Sequence, residues 1–140
     1  NNFFFTYTHY RTFKINSSAK KKVITPNSFN FKSFIKNTSI ATSTMIIKKV
    51  LAKNIRFSDT KICEDYHYKC QLLKKINYAY CYPDFLTDYQ IRMGSLQSNR
   101  MRNLYWIWKI NKKLNKLNAI ENLISVFFIS LNSIKKYGFK

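Results

Sequence analysis

From Asn99 onward, apolar residues recur in steps of three and four, and only the 3.6-residue turn of a helix gathers that spacing on one side. The end of the chain is therefore helical. Leu104, Ile107, Trp108, Ile110, Leu114 and Leu117 make the first stripe, with Arg100, Arg102, Lys109, Lys112, Lys113 and Lys116 on the other surface. Asn118 is placed to cap a second helix carrying Ile120, Leu123, Ile124, Phe127, Phe128, Leu131 and Ile134, and the two helices form an antiparallel pair. Lys135 and Lys136 suit the dipole of its last turn, and Gly138 stands beyond as a stop.

Upstream the pattern mixes strand and helix. The aromatic, Thr-rich run Phe3 to Tyr10 predicts a half-buried strand, Asn16-Ser17-Ser18 a turn, and Lys21 to Thr25 a returning strand ended by Pro26. Asn30 caps a short helix with Phe31, Phe34 and Ile35. Thr42 to Ile47 reads as a buried β-branched strand and Lys48 to Lys53 as a short helix. Tyr68, Leu72, Leu73 and Ile76 keep helical spacing behind Glu64-Asp65; Tyr78 to Tyr82 and Phe85 to Ile91 read as two strands around Pro83, and Met93-Gly94-Ser95 as a break.

Twelve Phe and ten Tyr supply more core than a disordered chain carries, while two Gly and two Pro exclude collagen-like and linker-like sequences. With 140 residues the expectation is a single core-forming α/β unit. The formal charge of +19 suits phosphates or anionic membranes. Joint enrichment in Lys, Asn, Ile, Phe and Tyr, however, is what A+T-biased coding produces without any partner. Cys63, Cys70 and Cys81 have no zinc-like spacing and read as reduced, buried thiols. The longest apolar stretch, Leu123 to Leu131, is too short for the ~20 residues of a membrane span. Neither a transmembrane helix nor a signal peptide is expected, and the expected location is cytoplasmic.

Carboxylates are informative because they are scarce: the first 58 residues contain none, and five of the six lie between Asp59 and Asp88. Adjacent Glu64 and Asp65 can be a catalytic pair, one acting as general base, or an acidic first helical turn stabilised by the dipole. Spacing alone favours the helical turn. His67 points away from Asp65, His9 has no acidic or cysteine partner in view, and no metal cluster stands out. Cys63 beside the acidic pair lacks a placed His, which favours a structural thiol. Tyr105, Trp106 and Trp108 have the spacing of a helix core rather than of a base-stacking platform.

The ordered series Thr42 to Ile47, Phe57-Ser58-Asp59, Glu64-Asp65-Tyr66, Leu72-Leu73-Lys74-Lys75 and Tyr78-Ala79-Tyr80 resembles the distal half of bacterial family 2 glycosyltransferases. Tyr89 to Asn99 is similar to that family's Tyr-Arg-x-Arg/His-x-x-Ser-x-Ser-Asn element, and Trp106-x-Trp108-Lys109-Ile110 and Ser133 to Tyr137 to its terminal helices. The resemblance implies an α/β, partial GT-A nucleotide-diphospho-sugar transferase fold, a short mixed sheet with helices. Residues 1–97 would be the acceptor-side part of the catalytic domain and 98–140 a C-terminal antiparallel helical pair.

By the same resemblance Asp65 is the catalytic base with Glu64 as its partner, and Arg92, Ser95 and Ser98 face the donor diphosphate. Arg92 is equally an ordinary solvated arginine, and one of the serines can instead cap the helix at Asn99. Gln90 and Lys69 depart from the family pattern, and no counterpart of its Asp-x-Asp metal motif is present. A divalent cation, Mg or Mn, is implied for the whole enzyme, with its ligands mostly outside this sequence. The implied partners are a nucleotide-diphosphate sugar and a glycan or lipid-linked acceptor of lipopolysaccharide, capsule or exopolysaccharide type. Peripheral contact with anionic lipid at the inner face of the plasma membrane would use the Arg100 to Lys116 cations. The alternatives are a nucleic-acid-binding module, which charge alone argues weakly, and an inactive transferase fragment.

Overall fold

In the computed structural model, residues 3–14, 19–92 and 99–137 are described. The elements run β1 (Phe5–Lys14), β2 (Lys21–Val23), β3 (Ser28–Phe29), α1 (Phe31–Phe34), a 3-10 turn (Thr42–Thr44), β4 (Ile46–Ile47), α2 (Lys49–Ala52), α3 (Glu64–Lys74), β5 (Ala79–Ile91), α4 (Arg100–Lys113) and α5 (Ala119–Tyr137). The architecture is α/β. The mixed sheet has the order β2-β1-β5-β3, with β4 also pairing β1, and β1 lies parallel to β5 and antiparallel to β2 and β4. Flanked on both edges, β1 buries Phe5, Tyr7, Thr8, His9, Tyr10 and Thr12, so it is more than the half-buried strand expected.

Two expectations change. Thr42 to Ile47 is not a buried strand: the Thr-Ser-Thr run makes a 3-10 turn, and only Ile46–Ile47 pairs with Thr6 and Phe5, leaving Ile46 69% exposed. The two strands expected around Pro83 are one strand. In the parallel ladder Thr8 faces Tyr82 but His9 faces Phe85, so Pro83 and Asp84 bulge outward where the missing N–H of proline is needed by no partner. The turn at Asn16-Ser17-Ser18, the break at Met93-Gly94-Ser95 and the stop at Gly138 lie outside the described residues.

The helix starts follow local chemistry. The Asn30 side chain accepts from the Ser33 N–H while Ser33 Oγ accepts from the Asn30 N–H, a reciprocal cap that fixes α1. Asn99 Oδ1 accepts from the Arg102 N–H at 3.0 Å, and Asn118 and Glu121 cap each other at the start of α5. Phe5, Tyr7, Phe29, Phe34, Leu72, Leu73 and Ile110 belong to one core between the sheet and the helices.

The terminal helices join that core through Ile107, Ile110 and Ile129 and through a seam of polar side chains. Tyr66 donates its hydroxyl hydrogen to Asn111 Oδ1 at 2.7 Å, Asn111 Nδ2 donates to Ser125 Oγ at 2.9 Å, and Ser125 Oγ donates to the Ile35 carbonyl at 2.5 Å. Asn122 Nδ2 reaches the Trp108 carbonyl at 3.1 Å. Consequently α5 buries Asn122, Ser125 and Ile129, and its apolar stripe, Ile120, Leu123, Ile124, Phe127, Phe128 and Leu131, faces solvent. No described helix is long and apolar enough to cross a membrane.

Candidate functional site

Asp65 and Glu64 are the first two residues of α3, where the unpaired N–H groups and the dipole of the helix favour negative charge. The preceding residue, Cys63, is left-handed at φ 62°, which turns the chain sharply into the helix. Glu64 is exposed. The Asp65 side chain keeps only 25% of its surface exposed and is held from two sides. Thr42 Oγ1 donates to its Oδ2 at 2.9 Å from the 3-10 turn, and Lys69 Nζ donates to the same oxygen at 2.8 Å from the next turn of α3. Burial opposes the charge on Asp65, but Lys69, Thr42 and the Tyr66 backbone outweigh it and hold the carboxyl below its usual range. Asp65 is therefore ionised at neutral pH.

Lys69 is itself buried, at 4% exposure, and its charge is matched by Asp65. In the sequence this lysine stands out only as a departure from the family pattern. Its position four residues after Asp65, the spacing at which opposite charges meet on a helix, was the available signal. Thr42 had none, being 23 residues away. Arg92 lies exposed just beyond β5, and its Nε donates to Gln90 Oε1 at 3.1 Å. Among the described residues no hydrogen bond or ion pair joins it to Asp65. Ser95 and Ser98 lie outside the described residues.

The neighbouring titratable groups are poor nucleophiles. Burial, then the Asp65 and Glu64 carboxylates, push the Cys63 thiol up to about 12, so it stays protonated. His67 turns toward Gln71, its Nδ1 3.3 Å from Nε2, and burial followed by Lys74 lowers its pKa. His9 does have a cysteine partner, contrary to expectation: Cys81 Sγ lies 3.4 Å from His9 Nδ1, brought there by the β1–β5 ladder across 72 residues. The Thr25 N–H donates to the same Nδ1 at 3.2 Å, which makes that nitrogen an acceptor and places the proton of a neutral ring on Nε2.

No three of the described His, Cys, Asp and Glu residues gather closely enough to hold a metal ion. The described residues thus do not fit a divalent cation by themselves. Asp65 is likewise absent from the linings of two cavities, one beside Phe4, Leu51 and Ile76 and the other between β2 and the end of α5. The arrangement supplies a carboxylate, partly shielded and kept charged.

No family model matches the chain, and no solved structure matches it. It is similar to an uncharacterized glycosyltransferase of Haemophilus influenzae, 22% identical over 139 residues. That match covers 98% of this chain and 55% of the relative, so the chain spans about half the length of the curated relative it matches. A distant relationship to a glycosyltransferase across nearly the whole of this α/β chain is what sequence comparison supports.

Proposed function

We propose that the chain is the acceptor-side part of an inverting, family 2-like glycosyltransferase with a GT-A type fold, and that Asp65 is its general base. The donor would be a nucleotide-diphosphate sugar and the acceptor a hydroxyl on a cell-surface glycan or a lipid-linked precursor. The observation that carries the reading is the Asp65 carboxylate, one-quarter exposed at a helix start and kept ionised by Lys69 and Thr42. The similarity to a glycosyltransferase over 98% of the chain supports it from outside the site.

In this reading Asp65 takes the proton of the acceptor hydroxyl as its oxygen bonds to the anomeric carbon. The bond to the diphosphate breaks on the opposite face, its electron pair leaves with the phosphate oxygen, and the anomeric configuration inverts. Lys69 keeps Asp65 in the proton-accepting form, while its pull on the carboxylate lowers the strength of the base. Glu64, exposed one residue earlier, faces the acceptor side as a second carboxylate. In the intact protein that carries this segment, Asp65→Asn should lower sugar transfer by about 10²–10⁴-fold with donor binding retained. Near-normal turnover would refute the assignment.

A further inference from the structure

A second site lies in a cavity whose lining does not include the carboxylate. Between β2, the segment after α1 and the end of α5 lies a cavity of about 250 Å³ lined by Lys21, Lys22, Asn37, Asn132, Lys135 and Lys136. Neither Asp65 nor Arg92 lines it. Its wall is closed where Lys21 Nζ donates to the Lys136 carbonyl at 2.6 Å, which ties β2 to α5 and leaves two N–H bonds on that ammonium. Lys22 contributes its stem, its ammonium sitting 5.3 Å from the centre of the Phe85 ring. Asn37 Oδ1 is occupied by the Ser39 hydroxyl, so what Asn37 has left to offer is its NH₂ group.

Among the described residues no ion pair compensates the charge here. The ion pairs among the described residues are Arg11 and Lys20 with Asp88 and Lys69 with Asp65, and none reaches Lys21, Lys22, Lys135 or Lys136. Burial, and then the Lys69 ammonium, push the Lys136 amine down to about 8. Several lysines and the Asn37 amide along a lining that holds no carboxylate favour a compact anion with several acceptor oxygens. The volume falls below the ~300–1,000 Å³ of clefts that enclose drug-sized ligands, so it suits an anionic group rather than a whole nucleotide.

We propose that this cavity binds a phosphate or diphosphate group, with Lys136, Lys135 and Lys21 as its cationic donors. The site does not depend on the assignment of Asp65. The group can arrive on a soluble nucleotide or on a lipid headgroup.

The test is calorimetric titration of the 140-residue chain with inorganic pyrophosphate and with uridine diphosphate. Beside it runs co-sedimentation with phosphatidylcholine vesicles with and without phosphatidic acid. Binding in the first arm identifies a soluble source, and phosphatidic-acid-dependent sedimentation a lipid one. In whichever arm binds, Lys136→Met should weaken binding about tenfold or more, and the exposed Lys135→Gln should weaken it in the same direction without disturbing the fold. The charge-matched control Lys49→Gln, an exposed lysine on α2, should change it by no more than about twofold. Equal losses in the control and the pocket variants would reduce the effect to the general polycation field and overturn the proposal. Absence of binding in every arm would overturn it as well.

Discussion

Helix α3 presses Cys70, Leu72 and Leu73 into the core and matches its one buried ammonium, Lys69, with Asp65. Helix α5 turns Asn122 and Ser125 inward and leaves Leu123, Phe127, Phe128 and Leu131 in solvent. An apolar stripe at helical spacing ordinarily marks the face toward a core. In α5 the docking face is instead chosen by directional bonds, from Asn111 to Ser125, from Ser125 to the Ile35 carbonyl and from Asn122 to the Trp108 carbonyl. Each is worth about 1 kcal/mol net. The contrast teaches that periodicity locates a helix without saying which of its sides is held.

The sharpest way to break the comparison is truncation on both helices. Leu72→Ala should cost about 2–5 kcal/mol of unfolding free energy in urea, because the side chain is fully buried. Leu123→Ala, at 64% exposure, should stay within about 0.5 kcal/mol. Equal losses would mean that α5 packs by its stripe after all. Next in size, Asn111→Ala removes the acceptor of the Tyr66 hydroxyl and the donor to Ser125 Oγ and should cost about 3 kcal/mol. A loss no larger than that of Leu123→Ala would show that the polar seam does not hold α5.

Lys69→Met tests the ionic side of α3 and should cost about 1–2 kcal/mol, less than a fully buried pair because Asp65 is partly solvated. The sign with pH follows from the lowered pKa of Asp65. Its contribution is complete above the ordinary value of 3.8 and fades as the carboxylate protonates below it. The gap between wild type and Lys69→Met should therefore narrow on acidification below about pH 4, and the acid limb of any transfer rate should move to higher pH in the variant. A separate pH effect belongs to Lys136 on α5. Its folded-state value of about 8 lies below 10.5, so the unfolded chain binds more protons between those values and stability should rise with pH across that window. Lys136→Met should flatten the rise in a series of thermal melts.

What could be read from the residues alone was whatever short-range chemistry decides. Asn30 and Asn118 cap helices with their own side chains, within three residues, as the sequence predicts, whereas the cap of α4 is Asn99 itself and not the serine expected to cap it. The acidic start of α3 was legible for the same reason, and the i,i+4 position of Lys69 could have been. The single long β5 was not, because the passage through Pro83 is permitted only by a bulge against Thr8 and His9. The same parallel pairing hid the His9–Cys81 contact, and the inward polar face of α5 depended on Tyr66, Asn111 and Ile35 lying opposite it. Thr42 reached Asp65 only because the run expected to be a strand curled into a 3-10 turn.

The parallel β1–β5 ladder also sets an order of events during synthesis. Tyr7 pairs with Cys81 and Thr12 with Tyr89, so the first strand waits for the translation of more than half the chain before its central neighbour exists. At about 5–20 residues per second that is several seconds in which an aromatic strand leaves the ribosome with one flank open. Contacts so distant along the chain also slow folding itself. The nascent chain should accordingly be most in need of chaperones between the emergence of β1 and that of Ile91.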